Sequence, residues 1–498
     1  MQIALVHISK GVDGTPVSPV VDHLGLEMIA GILKANKHMV SQFDTMLMKK
    51  DETSLLSELE ELSPELIGFT VNYANVQDTL NFIASLKELL PNTQLIAGGH
   101  YATFHLSSLL NNGFDLVVLG EGEIPMLQLA DWGIEKKFQI SGLAWLSGKT
   151  VFQNKPAIPP DLKFLPEADR ELLPYITSFP RGCYKIAVEG SRGCLYNCRF
   201  CSIAATQSLS KNSNCRRMKN PVLLAEEIEN LVKKFGIKDF WFMDPDFLGS
   251  SRNIPTIHKL GDEILRRGLD ITLEIDTRSD AINEETIKIL KASGLKTVFL
   301  GIESFDQLTL NSFSKGTVVQ QNLNAIEILE NHGIRPVLGT ILFHPNSSIR
   351  QLKREHSFLR QIGYEKTQML FRLKMYRGSR ICAEEKDCGG RGVTQGEDYG
   401  WEINDPKLNL AWLMFDYCRT ALLDIVFNDL TSLFRKGFLD TERFLLLTDE
   451  SYHTLGDCVD MILEAIPEQQ ENCPNTMELQ NSLQEILLNT RMKIFKSL

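Results

Sequence analysis

Residues 186–203 read IAVEGSRGCLYNCRFCSI, an apolar strand that runs directly into a loop with three closely spaced cysteines. These are Cys194, Cys198 and Cys201, in the spacing CxxxCxxC. Structural zinc is normally closed by four nitrogen or sulfur ligands, and no histidine near this loop completes such a set. A cubane iron–sulfur cluster ordinarily takes four cysteines, so three would leave one iron open to another ligand. The loop therefore predicts an incompletely ligated iron–sulfur cluster.

The cysteine loop opens a long alternation of predicted strands and helices. Apolar runs predict the strands, and helical spacing of apolar residues predicts the helices. Strands are expected at 186–191, 237–244, 270–277, 296–303, 336–343 and 368–376, with helices at 221–236, 253–267, 283–293, 320–332 and 348–362. Such repeats indicate a full or partial (β/α) barrel, whose active site lies at the carboxyl ends of its strands. The cysteine loop is therefore expected in the barrel mouth.

Residues 1–150 predict a separate α/β domain. Buried strands at 2–8, 38–44, 65–71, 93–99 and 114–120 alternate with helices at 24–37, 52–62 and 76–90. This alternation indicates a parallel sheet covered on both faces, a Rossmann-like arrangement that binds ligands at the carboxyl ends of its strands. The loops at those ends read NYAN (72–75), GGHYATF (98–104) and GEGE (120–123). Paired glycines let a backbone approach a large ligand closely, although tight turns alone would also use them.

The rest of the chain is interpreted as a linker and a helical region. Residues 151–182 are rich in proline and lack a clear period, which indicates a linker. The barrel is expected over 183–395, and from 396 to 498 the pattern predicts helices alone. The fold class is therefore α/β, with a Rossmann-like domain, a partial (β/α) barrel and a helical C-terminal region.

Composition limits the partners. The net charge of −11 argues against a broad nucleic-acid-binding face, and no apolar run is long enough to span a membrane. The N-terminus lacks the features of a signal peptide, so the chain is expected in the cytoplasm. The basic stretch KNSNCRRMKN (211–220) is interpreted as a solvated loop rather than a binding patch. The cysteines from Cys382 to Cys473 lack the grouping of a second cluster and are expected to be buried or free thiols.

The CxxxCxxC loop, with an aromatic residue before its last cysteine and a β/α series after it, resembles the radical S-adenosylmethionine (SAM) superfamily. The resemblance extends over roughly residues 183–380. It implies a 4Fe–4S cluster on the three cysteines, whose open iron chelates SAM and splits it to give a 5′-deoxyadenosyl radical. Segments at later strand ends imply further SAM contacts. The residues implied are Phe200, Asp244, Asp246, Arg278, Glu303 and Ser304.

Some of these residues could also have a structural role. Asp244 and Asp246 would also suit the N-cap of the following helix. Arg278 is expected to bind a carboxylate, and Glu303 inside an apolar strand would be costly unless a donor or cation met it. KMYRGS (374–379) departs from the family, because an arginine stands where relatives usually have a proline.

The N-terminal domain resembles the cobalamin-binding domain of one large branch of this superfamily, over roughly residues 1–130. The motif D-x-H-x-x-G, which supplies a histidine to cobalt elsewhere, is absent, so the resemblance implies cobalt without a histidine beneath it. His100 and His105 are expected to form local hydrogen bonds. The implied cobalamin contacts are Leu24, Asn72, Tyr73, Asn75, Gly98, Gly99, His100, Thr103, Gly120, Glu121, Gly122 and Glu123.

The leading functional hypothesis is a cobalamin-dependent radical methyltransferase, which moves a methyl group by way of methylcobalamin to a carbon or phosphorus centre. The alternative keeps these cofactors but ends in cyclisation, oxidation or rearrangement. A methylthiotransferase is disfavoured because residues 1–182 contain no cysteine for a second cluster, and a non-catalytic corrinoid sensor because the cluster motif is intact. The resemblance implies a small-molecule, lipid or peptide substrate and a flavodoxin- or ferredoxin-type electron donor.

Overall fold

The computed structural model describes most of the chain, and within these ranges it contains two seven-stranded sheets, a two-stranded ribbon and a set of C-terminal helices. The described residues are 1–8, 20–179, 182, 184–209, 216–363, 366–367, 369–385, 392–394, 398–435, 439–468 and 476–496.

The strands are β1 (Gln2–His7), β2 (Val20–Val21), β3 (Met39–Asp44), β4 (Leu66–Thr70), β5 (Gln94–Gly98), β6 (Leu116–Val118), β7 (Leu143–Ser147), β8 (Thr150–Gln153), β9 (Tyr184–Val188), β10 (Ser191–Arg192), β11 (Arg217–Met218), β12 (Asp239–Phe242), β13 (Thr272–Arg278), β14 (Leu295–Glu303), β15 (Arg335–Phe343) and β16 (Met369–Arg372).

The helices are α1 (Leu24–Ala35), α2 (Glu52–Leu62), α3 (Val76–Leu89), α4 (His100–Phe104), α5 (Leu106–Asn111), α6 (Glu123–Trp132), α7 (Leu173–Ile176), α8 (Ser202–Gln207), α9 (Pro221–Phe235), α10 (Ile254–Arg266), α11 (Glu284–Ala292), α12 (Gln307–Ser312), α13 (Val319–Asn331), α14 (Ile349–Ile362), α15 (Arg380–Glu384), α16 (Pro406–Asp424), α17 (Thr431–Arg435), α18 (Thr441–Ala465) and α19 (Thr476–Lys496).

The first sheet has the strand order β3-β1-β4-β5-β6-β7-β8. Its first five strands are parallel, and apolar residues of α1 and α6 cover one face while those of α2 and α3 cover the other. This confirms the Rossmann-like prediction. The antiparallel hairpin β7–β8 extends the sheet to Gln153, past the boundary predicted at residue 150. The first stretch of the predicted linker is therefore an edge strand.

The second sheet has the order β16-β15-β14-β13-β12-β9-β2, and all of its strand pairs are parallel. It forms an open, partial barrel. Six of its strands coincide with those predicted from the sequence, whereas β2 comes from the N-terminal part of the chain and pairs with β9 through Val20 and Tyr184. The domain predicted over residues 1–150 therefore contributes one strand to the barrel sheet, which its sequence pattern does not predict.

The C-terminal helices pack on the outside of the barrel. Trp412 of α16 lies with its ring centroid 5.1 Å from that of Phe343 of β15, edge to face. Cys418 and Cys458 are fully buried between α16 and α18, as expected for thiols that act as small apolar side chains. Cys183, Cys215, Cys388 and Cys473 lie outside the described residues. In the described part of the chain, no helix is long and apolar enough to cross a bilayer.

A buried ion network around Arg170 joins the two sheets. Its Nη1 donates to Asp22 at 2.5 Å and to Glu27 at 2.6 Å, while its Nη2 donates to the carbonyl of Ala187 at 2.9 Å and to Glu227 at 3.2 Å. The side chains of Arg170 and Asp22 are 8% and 0% exposed. Because these partners belong to both domains, the network fixes how one domain sits on the other.

We expect Arg170→Met to lower the free energy of unfolding by about 3–5 kcal/mol, because it leaves buried carboxylates without a counter-charge. Urea unfolding followed by tryptophan fluorescence measures the change. Lys238→Met is the matched control, since Lys238 pairs with Asp270 at the surface and its loss should move the transition far less. Equal effects of the two substitutions would contradict a structural role for the network.

Candidate active site between the two sheets

Asp244 positions the cysteine loop. One carboxylate oxygen accepts the amide hydrogen of Gly190 at 2.8 Å, and the other accepts the hydroxyl of Ser191. These contacts tie the end of β12 to the turn after β9, from which the loop extends. Burial raises the pKa of Asp244 to about 7, although the bonds from Ser191 and Gly190 and the nearby Arg216 oppose this shift. The Asp244 carboxylate therefore holds the start of the cysteine loop in place.

Further contacts hold the loop on its other sides. The side-chain amide of Gln207 donates to the carbonyl of Cys194 at 3.1 Å, and its oxygen accepts the Cys194 amide hydrogen at 3.2 Å. The Arg199 amide donates to the carbonyl of Phe313 at 2.9 Å. Phe200 packs edge to face on the same Phe313, with centroids 5.3 Å apart, so it supports the loop as a packing residue.

The three cysteine thiols lie close enough to influence one another. Burial, and to a smaller extent Asp246 and the other two thiols, raises the pKa of Cys194 to about 11. Three cysteines leave a zinc ion one ligand short, whereas they leave one iron of a four-iron cluster open to another ligand. The donor set therefore fits a cluster better than mononuclear zinc.

Asp246 differs from Asp244 in keeping one oxygen free. Its Oδ1 accepts the hydroxyl of Thr277 at 2.8 Å, whereas its Oδ2 is buried without a hydrogen-bond partner among the described residues. The residue is 1% exposed, and it acts electrostatically on Cys194. A buried carboxylate oxygen of this kind is costly unless a ligand donor meets it. An ammonium group held beside the cluster would satisfy it.

Arg278 lies against the cysteine loop with its donors already engaged. Asp280 accepts from Nε at 2.9 Å and from Nη2 at 3.1 Å, and the carbonyl of Lys315 accepts from Nη2 at 2.7 Å. The remaining Nη1 lies 3.7 Å from Cys198 Sγ, and the guanidinium stacks on Tyr196 with its carbon 3.6 Å from the ring centroid. The carboxylate that Arg278 binds in this structure is that of Asp280.

Glu303 meets the cation that its position in an apolar strand requires. Its carboxylate accepts from Lys315 Nζ at 2.8 Å, and the Lys315 side chain is only 6% exposed. Glu303 has a φ of +63°, at an irregularity in the pairing of β14 with β15. The neighbouring Ser304 donates its hydroxyl to Glu355 at 2.7 Å inside the barrel wall. Ser304 is fully buried, so its contacts are internal.

Glycines line a cavity of about 260 Å³ at the carboxyl edge of the first sheet. Gly98, Gly99, Gly120 and Gly122 were predicted there, and Gly68 in the middle of β4 adds another. A Cβ on Gly68 would lie 3.0 Å from Leu5, and one on Gly122 would lie 3.0 Å from Ile29. Side chains at these positions would narrow the cavity. Such a glycine cradle lets the backbone approach part of a large ligand such as cobalamin closely.

The NYAN loop is held mainly by its own contacts. Asn72 caps the backbone of the loop, and Asn75 donates to the carbonyls of Ile8 at 3.1 Å and Thr70 at 3.0 Å. The side chain of Asn75 and the side-chain oxygen of Asn72 are therefore engaged within the protein. Tyr73 instead keeps a buried hydroxyl without a partner among the described residues.

His100 also retains an unused atom. Its Nδ1 lies 3.2 Å from the hydroxyl of Thr206 on α8, while Nε2 is buried and unpartnered in the described part of the chain. Burial lowers the pKa of His100 to about 4, so the ring is neutral. Tyr73 and His100 thus present two unsatisfied polar atoms between the domains. The other predicted loop histidine, His105, lies near two backbone carbonyls, as expected.

A second cavity, of about 350 Å³, lies between the glycine loops and the cysteine loop. His100 and Thr103 line it from the first domain, and Thr206 lines it from α8, directly after the last cysteine. Thr103 accepts the amide hydrogen of Gly120 at 3.1 Å and so ties two glycine loops together. The predicted contact Leu24 lies outside both cavities, buried against Met28, Ala168 and Ala187.

Arg192, two residues before Cys194, forms the wall between the cavities. It donates to Glu121 at 2.8 Å and to Glu189 at 2.8 Å, and it lies 2.7 Å from Glu123. Burial alone would lower the pKa of Arg192, but these carboxylates raise it above its ordinary value. Gly99, Gly120, Glu121, Glu189 and Arg192 line both cavities.

The interpretation of 211–220 as a solvated loop was wrong where the structure describes it. Residues 211–215 lie outside the described ranges. The Arg216 side chain is 1% exposed, 3.9 Å from Asp244, and donates to the Ser191 hydroxyl at 2.9 Å. Arg217 pairs with Glu121. Carboxylates compensate both charges, which is why these arginines can be buried or half-buried.

Sequence reasoning missed several residues of this site. Gly68 could have been predicted from the sequence. An isolated glycine within a buried strand often marks a place where a ligand or another backbone approaches closely. His23, whose Nε2 lies 3.1 Å from the Thr70 hydroxyl, also lines the smaller cavity. Arg192 and Lys315 carried no sequence signal, since their partners are distant along the chain.

Comparison with protein-family models shows to which family the chain belongs. Residues 188–359 match the radical SAM superfamily, and residues 12–130 match the B12-binding domain. The two matches together cover more than half of the sequence. The chain therefore belongs to the radical SAM superfamily and carries a B12-binding domain before its radical SAM domain. It is a cobalamin-dependent radical SAM enzyme, and its cofactors are a 4Fe–4S cluster, SAM and cobalamin.

Three relatives illustrate the range of the family. An uncharacterised methyltransferase of Pyrococcus horikoshii is 26% identical over 383 residues, covering 75% of this chain and 79% of that protein. The hopanoid C-3 methylase of Methylococcus capsulatus is 28% identical over 330 residues, with 64% and 61% covered. The anaerobic magnesium-protoporphyrin IX monomethyl ester cyclase of Rubrivivax gelatinosus is 25% identical over 382 residues, with 72% and 66% covered.

Solved structures share the fold. OxsB, a cobalamin-dependent radical SAM enzyme with aqua-cobalamin bound, aligns with a TM-score of 0.78 at 14% identity, over 100% of this chain and 80% of that chain. TsrM from Kitasatospora setae, a radical SAM methyltransferase with cobalamin and a [4Fe–4S] cluster bound, aligns with a TM-score of 0.65 at 17% identity, over 78% and 75%. These likenesses establish the two-domain architecture.

We expect Cys198→Ser to abolish cluster assembly, because two thiolates cannot hold a four-iron cluster stably. Anaerobically reconstituted protein should contain about four iron atoms per chain, and the variant far fewer. Cys382→Ser is the matched control, since this buried cysteine lies outside the motif and should leave iron unchanged. About eight irons in the unaltered chain would show that a second cluster exists.

We expect Asp246→Asn to weaken SAM binding by roughly ten- to hundredfold, because a charge-assisted hydrogen bond is lost while the Oδ1 contacts remain. Equilibrium dialysis of the cluster-loaded protein measures it. Asp306→Asn is the control, since Asp306 caps α12 through Thr309 and should not affect SAM. Unchanged affinity in the Asp246 variant would remove this residue from the site.

We expect Gly98→Leu to abolish cobalamin binding while the cluster still assembles. The Cβ position on Gly98 has no neighbouring atom nearer than 3.9 Å, so the new side chain can extend into the cavity without backbone strain. The visible spectrum of protein reconstituted with hydroxocobalamin reports the bound corrinoid. Gly98→Ala, which adds one methyl group, should retain it, and full binding by the leucine variant would place cobalamin elsewhere.

Proposed function

We propose that this enzyme is a methyltransferase that moves a methyl group to a carbon or phosphorus centre of a small metabolite, lipid or peptide. The observation that carries the proposal is the shared wall of the two cavities. Arg192 and Glu121 line both, and the larger cavity reaches α8 beside the cysteine loop. A substrate in it would lie between the two cofactor sites, and oriented proximity of this kind replaces a diffusive encounter.

We assign residues to the cofactors by asking which side-chain atoms lack a partner within the protein and which already have one. We propose that Cys194, Cys198 and Cys201 hold the cluster and that Asp246 Oδ2 accepts from the SAM amino group. The glycines of the 260 Å³ cavity would contact cobalamin. We also propose Tyr73 and His100 as contacts, because each has a buried polar atom without a partner among the described residues, and His100 lines the 350 Å³ cavity. When bound, the cluster and SAM supply a hydrogen-abstracting radical, and cobalamin supplies the methyl group.

The protein's own groups orient and shield this chemistry. Asp244 and Gln207 fix the loop that carries the cysteines, and Arg192 fixes that loop against the first domain. Phe200 and Phe313 form an apolar wall behind the loop, which helps to exclude water from a reactive radical. The methyltransferases among the relatives support this outcome.

Cyclisation, oxidation or rearrangement without methyl transfer is the second candidate. The observation that favours it is the likeness to the Rubrivivax gelatinosus cyclase, which covers 72% of this chain. The cofactor sites would be the same, and the fate of the substrate would differ.

Methyl-labelled SAM distinguishes methyl transfer from cyclisation, oxidation or rearrangement. We expect the reduced, cofactor-loaded enzyme to move label first into its bound cobalamin, which can be extracted and measured without knowing the substrate. Label should then pass into organic-soluble compounds of a cell extract, in proportion to the 5′-deoxyadenosine formed. Deoxyadenosine without labelled cobalamin or product would favour the second candidate, and Cys198→Ser is the negative control for both.

We also propose an electron donor and a cellular location for the enzyme. A flavodoxin- or ferredoxin-type protein would reduce the cluster, and the cytoplasm would provide both this donor and SAM. The acidic net charge of −11 disfavours nucleic acid as the substrate.

A further inference from the structure

Two buried cations lie beside Cys198. Arg278 Nη1 lies 3.7 Å from Cys198 Sγ, and Lys315 acts on the same thiol electrostatically. Glu303 opposes these two cations, but its effect on Cys198 is smaller than that of either one. Cys194 has both a carboxylate, Asp246, and a guanidinium, Arg216, as charged neighbours. The surroundings of Cys198 are therefore cationic on balance.

Arg278 is held in place independently of Cys198. Asp280 accepts two hydrogen bonds from it, at 2.9 and 3.1 Å, and the Lys315 carbonyl accepts a third at 2.7 Å. The ring of Tyr196 covers the face of the guanidinium. Because these contacts use Nε and Nη2, they fix Nη1 in its position beside the sulfur.

Lys315 is held just as firmly. Its ammonium lies 2.8 Å from Glu303, and the side chain is 6% exposed. A Cβ on Gly301 would approach Nζ to 2.8 Å, so the glycine is what makes room for the lysine. Glu303 reaches it from a backbone with a φ of +63°, a conformation that costs energy in a residue other than glycine. The local backbone is strained to keep this ion pair at the barrel mouth.

We propose that Arg278 and Lys315 form a cationic bracket that raises the reduction potential of the cluster through its Cys198 ligand. Reduction by a low-potential one-electron carrier adds one negative charge to the cluster, and no bond is made or broken in this step. Hydrogen bonds and positive charge near a ligand sulfur stabilise the reduced form more than the oxidised form. Arg278 and Lys315 are thus tuning residues, separate from the groups that bind SAM.

A redox titration followed by electron paramagnetic resonance tests the bracket on the full-length, cluster-loaded chain without SAM. Lys315→Met should shift the midpoint potential to more negative values, since it removes a buried positive charge. Arg278→Gln should do the same, and the absence of SAM excludes an effect through SAM binding. Glu303→Gln should shift it to more positive values, because Lys315 loses its counter-charge.

Lys296→Met is the matched control. Lys296 is an exposed lysine near the start of β14, whereas Glu303 ends the same strand, so its loss removes an equal charge far from the cysteines. If Lys315→Met fails to assemble a cluster, Lys315→Met/Glu303→Gln removes both charges. Its potential should then be more negative than that of Glu303→Gln, which keeps the lysine.

The proposal is overturned if Lys315→Met shifts the potential no further than Lys296→Met, or if the Lys315 and Glu303 variants shift it in the same direction. It rests on the cluster, whose presence is measured separately by iron content and absorbance. An unaltered chain without a cluster would overturn the cofactor assignment and the bracket together, whereas a loaded chain with unshifted variants would overturn the bracket alone.

Discussion

The ion cluster around Arg192 is the contact on which the arrangement of the two cofactor sites depends. Arg192 ends β10, directly before the cysteine loop, and Glu121 and Glu123 lie just before and at the start of α6 in the other domain. A buried guanidinium requires several acceptors, and among the described residues the barrel itself supplies only the Glu189 carboxylate. Docking of the domains is therefore built into the local structure of the cysteine loop. The Arg170 network adds a second, independent joint.

The site combines groups that are already satisfied with groups that are not. Asp244, Asn75 and Ser304 use their side chains to hold other parts of the protein. Asp246 Oδ2, together with single atoms of Tyr73 and His100, is buried without a partner in the described ranges. Buried polar atoms are normally paired, so these unpaired atoms are candidate ligand contacts. This contrast separates supporting residues from candidate ligand contacts.

Strong periodic patterns allowed most of the fold to be predicted. The helix 52–62 and the strands of the barrel were found because burial imposes apolar spacing on each of them. The two-residue strand β2 has no period, and its pairing with β9 is a tertiary event, so it could not be found in this way. The hairpin β7–β8 had a detectable signal, a Ser147–Gly148 turn between apolar residues, which the proline-rich composition after it obscured.

The site was predictable where a motif carries the chemistry and less so where packing decides. The cysteine spacing predicts which residues hold the cluster, and the paired glycines predicted where the cavity of the first domain lies. The sequence did not distinguish Asp244 from Asp246, because both follow the same strand and only their partners differ. Lys315 and Arg192 act through residues distant in sequence, and no local pattern reveals such pairs.

Three cysteines leave one iron of the cluster open, and we expect SAM to bind to it through its amino group. Electron–nuclear double resonance on the reduced protein, with SAM carrying ¹⁵N in its amino group, measures this contact directly. We expect a ¹⁵N coupling to the cluster that disappears when unlabelled SAM replaces the labelled form. A reduced cluster that shows no nitrogen coupling at saturating SAM would contradict it.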